Sequence, residues 1–493
     1  MINETILPEH TGWLLLALFS VAWILLGRYW GKKASGLDGY MLAGRSVGLA
    51  LGTATAVATW VTSNTTMLAP QFALEFGIWG MLAYSTASFG LFLFAPMAQR
   101  IRQLMPRGYT SGEFVRLRYG RTAYLLFLLI SLFYALTWMI SMAMAGGTLL
   151  EALSGIRYEF GMTVVLGVCV AYTLFGGLYA VIGTDFIQSF IILIGVVVVA
   201  VATLSHVDLS QVHAHTQATR PALMHVMFPA AVMAVFNNLL FGLGEIFHSN
   251  VWWSRAFAMR EGVGKKAYLL GGLLWLPIPI AAGFIALAAP LLDVNIVRPD
   301  MVGPVVAGKL LGSVGAIVVF VVVFSSIASS IDSLLAATAD LITKDVIQQF
   351  FMPKARDAQL EKVSSWVIVG LGVVTWLVCL PRVGTLATVL FFAGALVAST
   401  IWPIAMGLYS KKTNPRGAAL GMLLGSIGGL CAYFLVAWYV AALVGTVISM
   451  TCVLLGTWFA PHKFDWATLD PNLPEDDDAD TAGLEPQPTG GAE

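Results

Sequence analysis

Charge is what this chain has least of. Only 11% of its 493 residues are Asp, Glu, Lys or Arg, while 58% are hydrophobic. A soluble domain carries roughly 25% charged residues, so a water-soluble globular class is excluded. Acidic and basic residues balance at 27 each, and no nucleic acid partner is expected from such a chain. Cysteine is also scarce. Cys169, Cys379, Cys431 and Cys452 lie in apolar segments without CxxC spacing, which excludes a disulfide framework and reads as packing. There is no nucleotide-binding loop, no HExxH and no soluble catalytic domain. An ATP-driven pump and an enzyme are therefore not expected.

What the chain does have is a series of apolar stretches, each near the roughly 20 residues that cross a bilayer. Thirteen spans are expected, at 11–30, 46–75, 77–99, 122–150, 160–179, 184–204, 223–250, 267–291, 310–343, 363–381, 384–409, 417–439 and 441–460. The first has no basic leader and no small-residue cleavage site, so it reads as an uncleaved span. With the N-terminus outside, 22 of the 27 Lys and Arg fall in inner segments and 5 in outer ones. That bias places the C-terminus in the cytoplasm of a cell (inner) membrane. The expected organisation is a transmembrane domain over 1–463, then an acidic cytoplasmic tail over 464–493 containing "EDDDAD", which reads as disordered.

Three spans are not ordinary. The second reads "GTATAVATWVTSNTTMLAPQFAL", the seventh "VFNNLLFGLGEIFHSNVWWS", and the ninth passes from "GAIVVFVVVF" into "SSIASSIDS". Polar or Gly-interrupted spans at matching places in two halves point to a transporter binding site. The second and seventh are five apart, as the first helices of two five-span inverted repeats (46–204 and 223–409) would be. A broken helix frees carbonyls and amides, and such backbone survives at membrane depth only where it lines a protein cavity. A channel also uses such groups, but there is no repeated pore loop.

In the ninth span Ser326, Ser329, Ser330 and Ser333 fall at i, i+3, i+4 and i+7, one helical face. Hydroxyl oxygens suit a small monovalent cation; the same serines also serve close helix packing. Carboxylates at membrane depth cost on the order of 2.5–3.5 kcal/mol on insertion scales. Asp332 and Glu245 must each be paired, protonated or bound to a cation, whereas Asp345 is expected to leave the membrane on the inner side. Glu245 reads either as a carboxylate for solute or proton, or as a structural partner of His248 or of the helix break. Asn237 and Asn238 are cavity candidates. Trp60, Trp252 and Trp253 are possible cavity walls, and the latter two equally suit interface anchors.

These residues resemble the sodium:solute symporters, which have the LeuT-type fold. "GGLYAVIGTDFIQ" (176–188), "SSIDSLLAATADLITKD" (329–345) and "ATWVTSNTTMLAPQFALEFGIWG" (58–80) carry the resemblance, which covers roughly residues 10–460. It implies an all-α membrane protein of about 13 spans, a 5+5 inverted repeat with one extra N-terminal and two extra C-terminal spans. It further implies a co-transported sodium ion held by Ser329 and Ser330, with Ser326 one turn earlier, and by the carbonyls of Ala58 and Val61. Asp185 resembles the family's acidic residue near the inner cation exit. Trp60 stands where the proline-transporting branch has Asp, and Thr65 and Tyr84 where the sugar branch has larger hydrogen-bonding groups. "GEIFHSNVWWSRA" is most similar to the urea and polyamine branch.

The expected function is thus sodium-coupled symport of a small polar solute (urea, a polyamine, an amino acid or similar) across a lipid bilayer by alternating access. The expected solute residues are Trp60, Thr65, Tyr84, Asn237, Glu245 and His248. The alternatives are proton coupling through Glu245, a transporter-like membrane sensor, and a channel.

Overall fold

The computed structural model describes residues 5–225, 227–292, 296 and 298–470. Its helices are α1 (Glu9–Gly31), α2 (Gly36–Leu42), α3 (Leu49–Trp60), α4 (Ala69–Phe76), α5 (Ile78–Ser85), α6 (Ser88–Leu104), α7 (Ser111–Tyr119), α8 (Arg121–Ser154), α9 (Tyr158–Thr173), α10 (Gly177–His206) and α11 (Leu209–Thr219). They continue as α12 (Pro229–His248), α13 (Asn250–Ala258), α14 (Val263–Trp275), α15 (Pro277–Leu287), α16 (Val302–Leu341), α17 (Asp357–Cys379), α18 (Leu386–Phe392), α19 (Gly394–Ala398), α20 (Ile401–Tyr409), α21 (Pro415–Leu435) and α22 (Ala441–Phe459).

Among the described residues eleven helical stretches are long and apolar enough to cross a membrane. Two expected spans fall short of that length. One is α9; the other is the second span, where α3 stops at Trp60 and helix resumes only at Asn64. The polar content of that span has a backbone consequence. Val61 sits at φ −82°, ψ 81°. Thr62 and Thr65 then cap each other: the Thr62 amide donates to Thr65 Oγ1 at 3.3 Å and the Thr65 amide to Thr62 Oγ1 at 3.2 Å, the reciprocal pattern of a capping box. A π-helical turn over Asn64–Leu68 leads into α4, with Pro70 in its first turn, where no amide is needed.

The seventh span breaks too. Ser249 leaves the helix at φ −69°, ψ 130°, and its hydroxyl oxygen accepts from the Val251 amide as the cap of α13. Trp253 Nε1 donates to the Phe247 carbonyl at 2.7 Å, and His248 Nδ1 bonds the Gly244 carbonyl. The Trp253 side chain thereby takes over a carbonyl that the helix has released. Gly244 is required here, since a Cβ would lie 2.5 Å from the Val397 carbonyl oxygen of α19. α16 bends at Gly312, whose φ of 63° a side chain would disfavour.

Two helix groups face each other. α3 and α6 pack with α14, and α5 and α6 with α12, while α16 packs with α8, α9 and α17. α10 lies between them, touching both α3 and α16. α21 and α22 pair with one another and cover α19.

The tail does not begin at Phe464. Phe464 and Leu469 are buried, Trp466–Leu469 forms a 3-10 turn, and Arg107 pairs with Asp470 at 3.3 Å. The Arg118 guanidinium lies 4.3 Å over the Phe464 ring. Ordered chain thus extends at least to Asp470; the rest of the expected tail, 471–493, lies outside the described residues. Asp345 is buried, and takes hydrogen bonds from Thr110 Oγ1 (2.5 Å) and Tyr124 (3.2 Å).

Candidate functional site: an oxygen cage beside an aromatic cavity

The serine face of α16 meets the broken end of α3. Ser329 Oγ donates to the Ala58 carbonyl at 2.9 Å, and Ser330 Oγ to the Thr59 carbonyl at 3.3 Å. Both hydroxyls also reach the Ser326 carbonyl, at 3.1 and 2.8 Å. Ser326 contributes that main-chain oxygen to the cluster, because its own hydroxyl turns back to Val322 at 2.8 Å. Val61, completely buried, sits at the turn out of α3. The C-terminal end of a helix carries partial negative charge, so α3 points free carbonyls and a favourable dipole at the serines. All these oxygens are uncharged and enclosed. Such a group can replace the water shell of an alkali ion, and it is unsuited to a transition metal. No cluster of His, Cys, Asp and Glu able to hold a metal occurs among the described residues.

Directly beside the cage lies a charged network. Arg255 Nη2 pairs with Asp185 Oδ2 at 3.3 Å, both side chains fully buried. The same guanidinium donates to Thr55 (2.9 Å), Thr59 (2.7 Å) and Ser333 (2.6 Å), and Thr55 donates to Asp185 at 2.5 Å. Asp185 thus lies within one side chain of the serine face, on α10. Arg255 was not among the sequence candidates, although its place at the end of "WWSRA" was visible. Asp332 accepts from the Tyr172 hydroxyl at 2.9 Å and from the Ser333 amide at 2.5 Å.

On the other side of the break is a cavity of ≈ 330 Å³, its mouth included. Trp60, Tyr84, Tyr134, Trp138, Phe241 and Trp275 wall it, and Thr62, Asn64, Thr65 and Asn238 give it polar edges. Trp60 stands edge-on to Trp138 and Trp252 at 6.1 and 5.4 Å between ring centres. Two buried donors that line it, Trp60 Nε1 and Asn64 Nδ2, have no hydrogen-bond partner.

Of the six candidate solute residues, Trp60, Thr65 and Tyr84 line this cavity and three others do not. Asn237 faces away: its Oδ1 accepts from the Ala442 amide of α22 at 3.0 Å, and Asn238, about 100° further round the helix, takes the cavity edge. Glu245 does not line the cavity. Both its oxygens accept from Trp252 Nε1, at 2.9 and 3.1 Å, which fastens α12 to α13 across the break. His248 also lies off the cavity and packs against Tyr134 at 5.1 Å. Trp253 is likewise interior, against Phe114, and is no interface anchor. Trp138, Tyr134, Trp275 and Phe241 were missed, because aromatic residues in apolar spans look alike until the spans are assembled.

The family model of the sodium:solute symporter family matches residues 40–425. The chain belongs to this family. The symporter is similar to the urea-proton symporter DUR3 of Oryza sativa subsp. japonica, 28% identical, the match covering 90% of this chain and 69% of that one. It is also similar to the osmoregulated proline transporter OpuE of Bacillus subtilis, 27% identical over 83% of this chain and 86% of the other. Among solved structures it resembles a substrate-bound, outward-open Na+-coupled sialic acid symporter, with a TM-score of 0.78 and 17% identity, covering 92% of this chain and 99% of that one. Mhp1, a nucleobase-cation-symport-1 family transporter in a closed conformation, follows at a TM-score of 0.54, 13% identity, 85% of this chain and 94% of that one. The fold is thus the LeuT-type transporter fold. The symporter is a multi-pass membrane protein that carries out secondary active transport, and its relatives are transporters rather than enzymes.

Proposed function

We propose that the chain is a sodium-coupled symporter of a compact polar solute. The cage between α3 and α16 holds the ion and the aromatic cavity holds the solute. The observation that carries this reading is the hydrogen bond from Ser329 Oγ to the Ala58 carbonyl, which brings the hydroxyl face of one helix onto the bare end of another. Ser329, Ser330 and the carbonyls of Ala58, Val61 and Ser326 are the ion's ligands, and Asp185 stands on its way out. The 5+5 repeat spans 46–204 and 223–409, with the N-terminus outside and the C-terminus in the cytoplasm, in agreement with the loop charges.

The cavity as it stands is tight, with about 20 Å³ open to the centre of a water-sized sphere, which favours a small solute. Its two unpartnered donors ask for an acceptor such as a carbonyl oxygen, and its flat aromatic walls suit a planar or small-ring body. Urea and proline, named for two relatives, both answer that description. Trp60 closes the break without a charge, which supports a neutral planar amide over a solute that needs a carboxylate opposite it.

One positive charge crossing about 100 mV releases roughly 2.3 kcal/mol, and a tenfold ion gradient about 1.4 kcal/mol. Their sum drives a neutral solute to a gradient of several hundred-fold per ion. Binding of the ion at the break steadies the neighbouring cavity, and rocking of one helix group against the other turns both sites inward.

The test is uptake into proteoliposomes of labelled urea, proline, other amino acids and polyamines, with sodium and proton gradients imposed separately. Saturable uptake that needs external sodium is expected. Uptake driven by a proton gradient alone would overturn the ion assignment and favour the coupling named for DUR3.

A further inference from the structure

We propose that Asp340, together with Ser364, forms a second cation station near the inner end of α16, where the sodium ion leaving the cage pauses before it enters the cytoplasm. The inference rests on the sodium reading of the cage.

Asp340 follows Ser333 by seven residues. Two turns of helix bring it back to the same face, about 10 Å further along α16. It is therefore the next acidic group in line after the serines, towards the side that the loop charges assign to the cytoplasm. Its side chain is 3% exposed, its Oδ2 is buried without a hydrogen-bond partner, and among the described residues no salt bridge reaches it. Lys344, one turn on, forms no salt bridge with it; its Nζ lies 4.3 Å over the Tyr109 ring and acts on the carboxylate through space.

Ser364, on the facing α17, is completely buried with its hydroxyl beside this carboxylate. Thr343, one turn beyond Asp340, carries a buried hydroxyl without a partner. A lone carboxylate held out of water is costly unless something balances its charge. A carboxylate facing a buried hydroxyl gives hard oxygen ligands of low total charge, the chemistry of an alkali ion.

The surroundings fit a way station. Tyr40 of α2 packs over Gly177 at the start of α10, and its hydroxyl meets Ser365, next to Ser364, at 3.5 Å. Tyr40 is itself buried. Asp185 lies eight residues into α10 from Gly177, about 12 Å deeper, and its Oδ1 is also without a partner. Cage, Asp185 and Asp340 thus form a descending series of oxygens.

The experiment compares two fluxes in proteoliposomes, with labelled urea as the probe, or proline if only proline is carried. Net uptake down a sodium gradient requires the ion to leave inside. Exchange of labelled for unlabelled solute, with saturating sodium on both sides, does not. Asp340→Asn is expected to lower net uptake about tenfold, while exchange and the external sodium half-saturation stay within about twofold. Asp340→Glu is expected to restore net uptake. Unchanged net uptake, an equal fall of both fluxes, or no rescue by Glu would overturn the station. If Asp340→Asn does not fold, Ser364→Ala decides: an about threefold loss confined to net uptake supports the station, and any other result overturns it. Wild-type uptake indifferent to sodium would instead overturn the proposed function, and this inference with it.

Discussion

Arg255 and Asp185 form an ion pair at 3.3 Å with neither side chain exposed to solvent. The pair joins α13, the second half of a broken span, to α10, and it lies against the serine face that bounds the oxygen cage. Removing one partner from a buried pair leaves the other charged and enclosed, at a cost of about 3–5 kcal/mol. Asp185→Asn is therefore expected to lower the thermal midpoint of the purified protein markedly. Asp185→Asn combined with Arg255→Gln is expected to recover part of that loss. A melting curve for Asp185→Asn that overlays the wild type would show that the pair carries no such weight.

Ser330→Ala removes one hydroxyl from the cage. The lost ligand is expected to raise the sodium concentration for half-maximal uptake about tenfold, equivalent to about 1.4 kcal/mol. The solute half-saturation at saturating sodium should change little. Initial rates over a sodium series measure both, and an unmoved sodium dependence would place the ion elsewhere.

Glu245→Gln keeps an acceptor oxygen for Trp252 Nε1. Uptake, its pH profile and solute choice are expected to stay within about threefold of wild type. Glu245→Ala, which leaves the buried indole donor unmatched, should destabilise the protein by about 1–3 kcal/mol. A lost pH dependence in Glu245→Gln would return this carboxylate to the transport chemistry.

Trp60→Phe keeps an aromatic wall and deletes a donor directed into the cavity. A single net hydrogen bond is worth about 0.5–1.5 kcal/mol. The solute half-saturation should therefore rise by up to about tenfold, with sodium dependence within twofold. A shift in sodium alone would place the solute away from Trp60.

The parts of this site that were readable in the sequence are those fixed by local periodicity. The spacing of Ser326, Ser329, Ser330 and Ser333 gives a single face without knowledge of any partner, and the Thr-rich second span with its Pro70 reads as irregular. What stayed hidden depends on what lies opposite. Asn237 and Asn238 are adjacent and chemically identical, and only the positions of α22 and the cavity separate them. Glu245 lies three residues from His248, a spacing that suggests a pair, but the kink at Ser249 swings Trp252 into reach instead. Nothing near Asp345 in sequence announces its partners Thr110 and Tyr124. Phe464 and Trp466 at the head of the acidic tail were the signal that its first residues dock, since two large rings rarely stay in water.

The cage is divided between two bodies: the carbonyls of Ala58 and Thr59 ride on α3, the serine hydroxyls on α16. On the proposed reading, a cation there works as a removable rivet. While it is in place the halves are held in register, and when it departs their mutual grip slackens. Slippage with an unaccompanied passenger is thereby discouraged without a dedicated gate, and the ion concentration on each side sets how long the joint stays fastened.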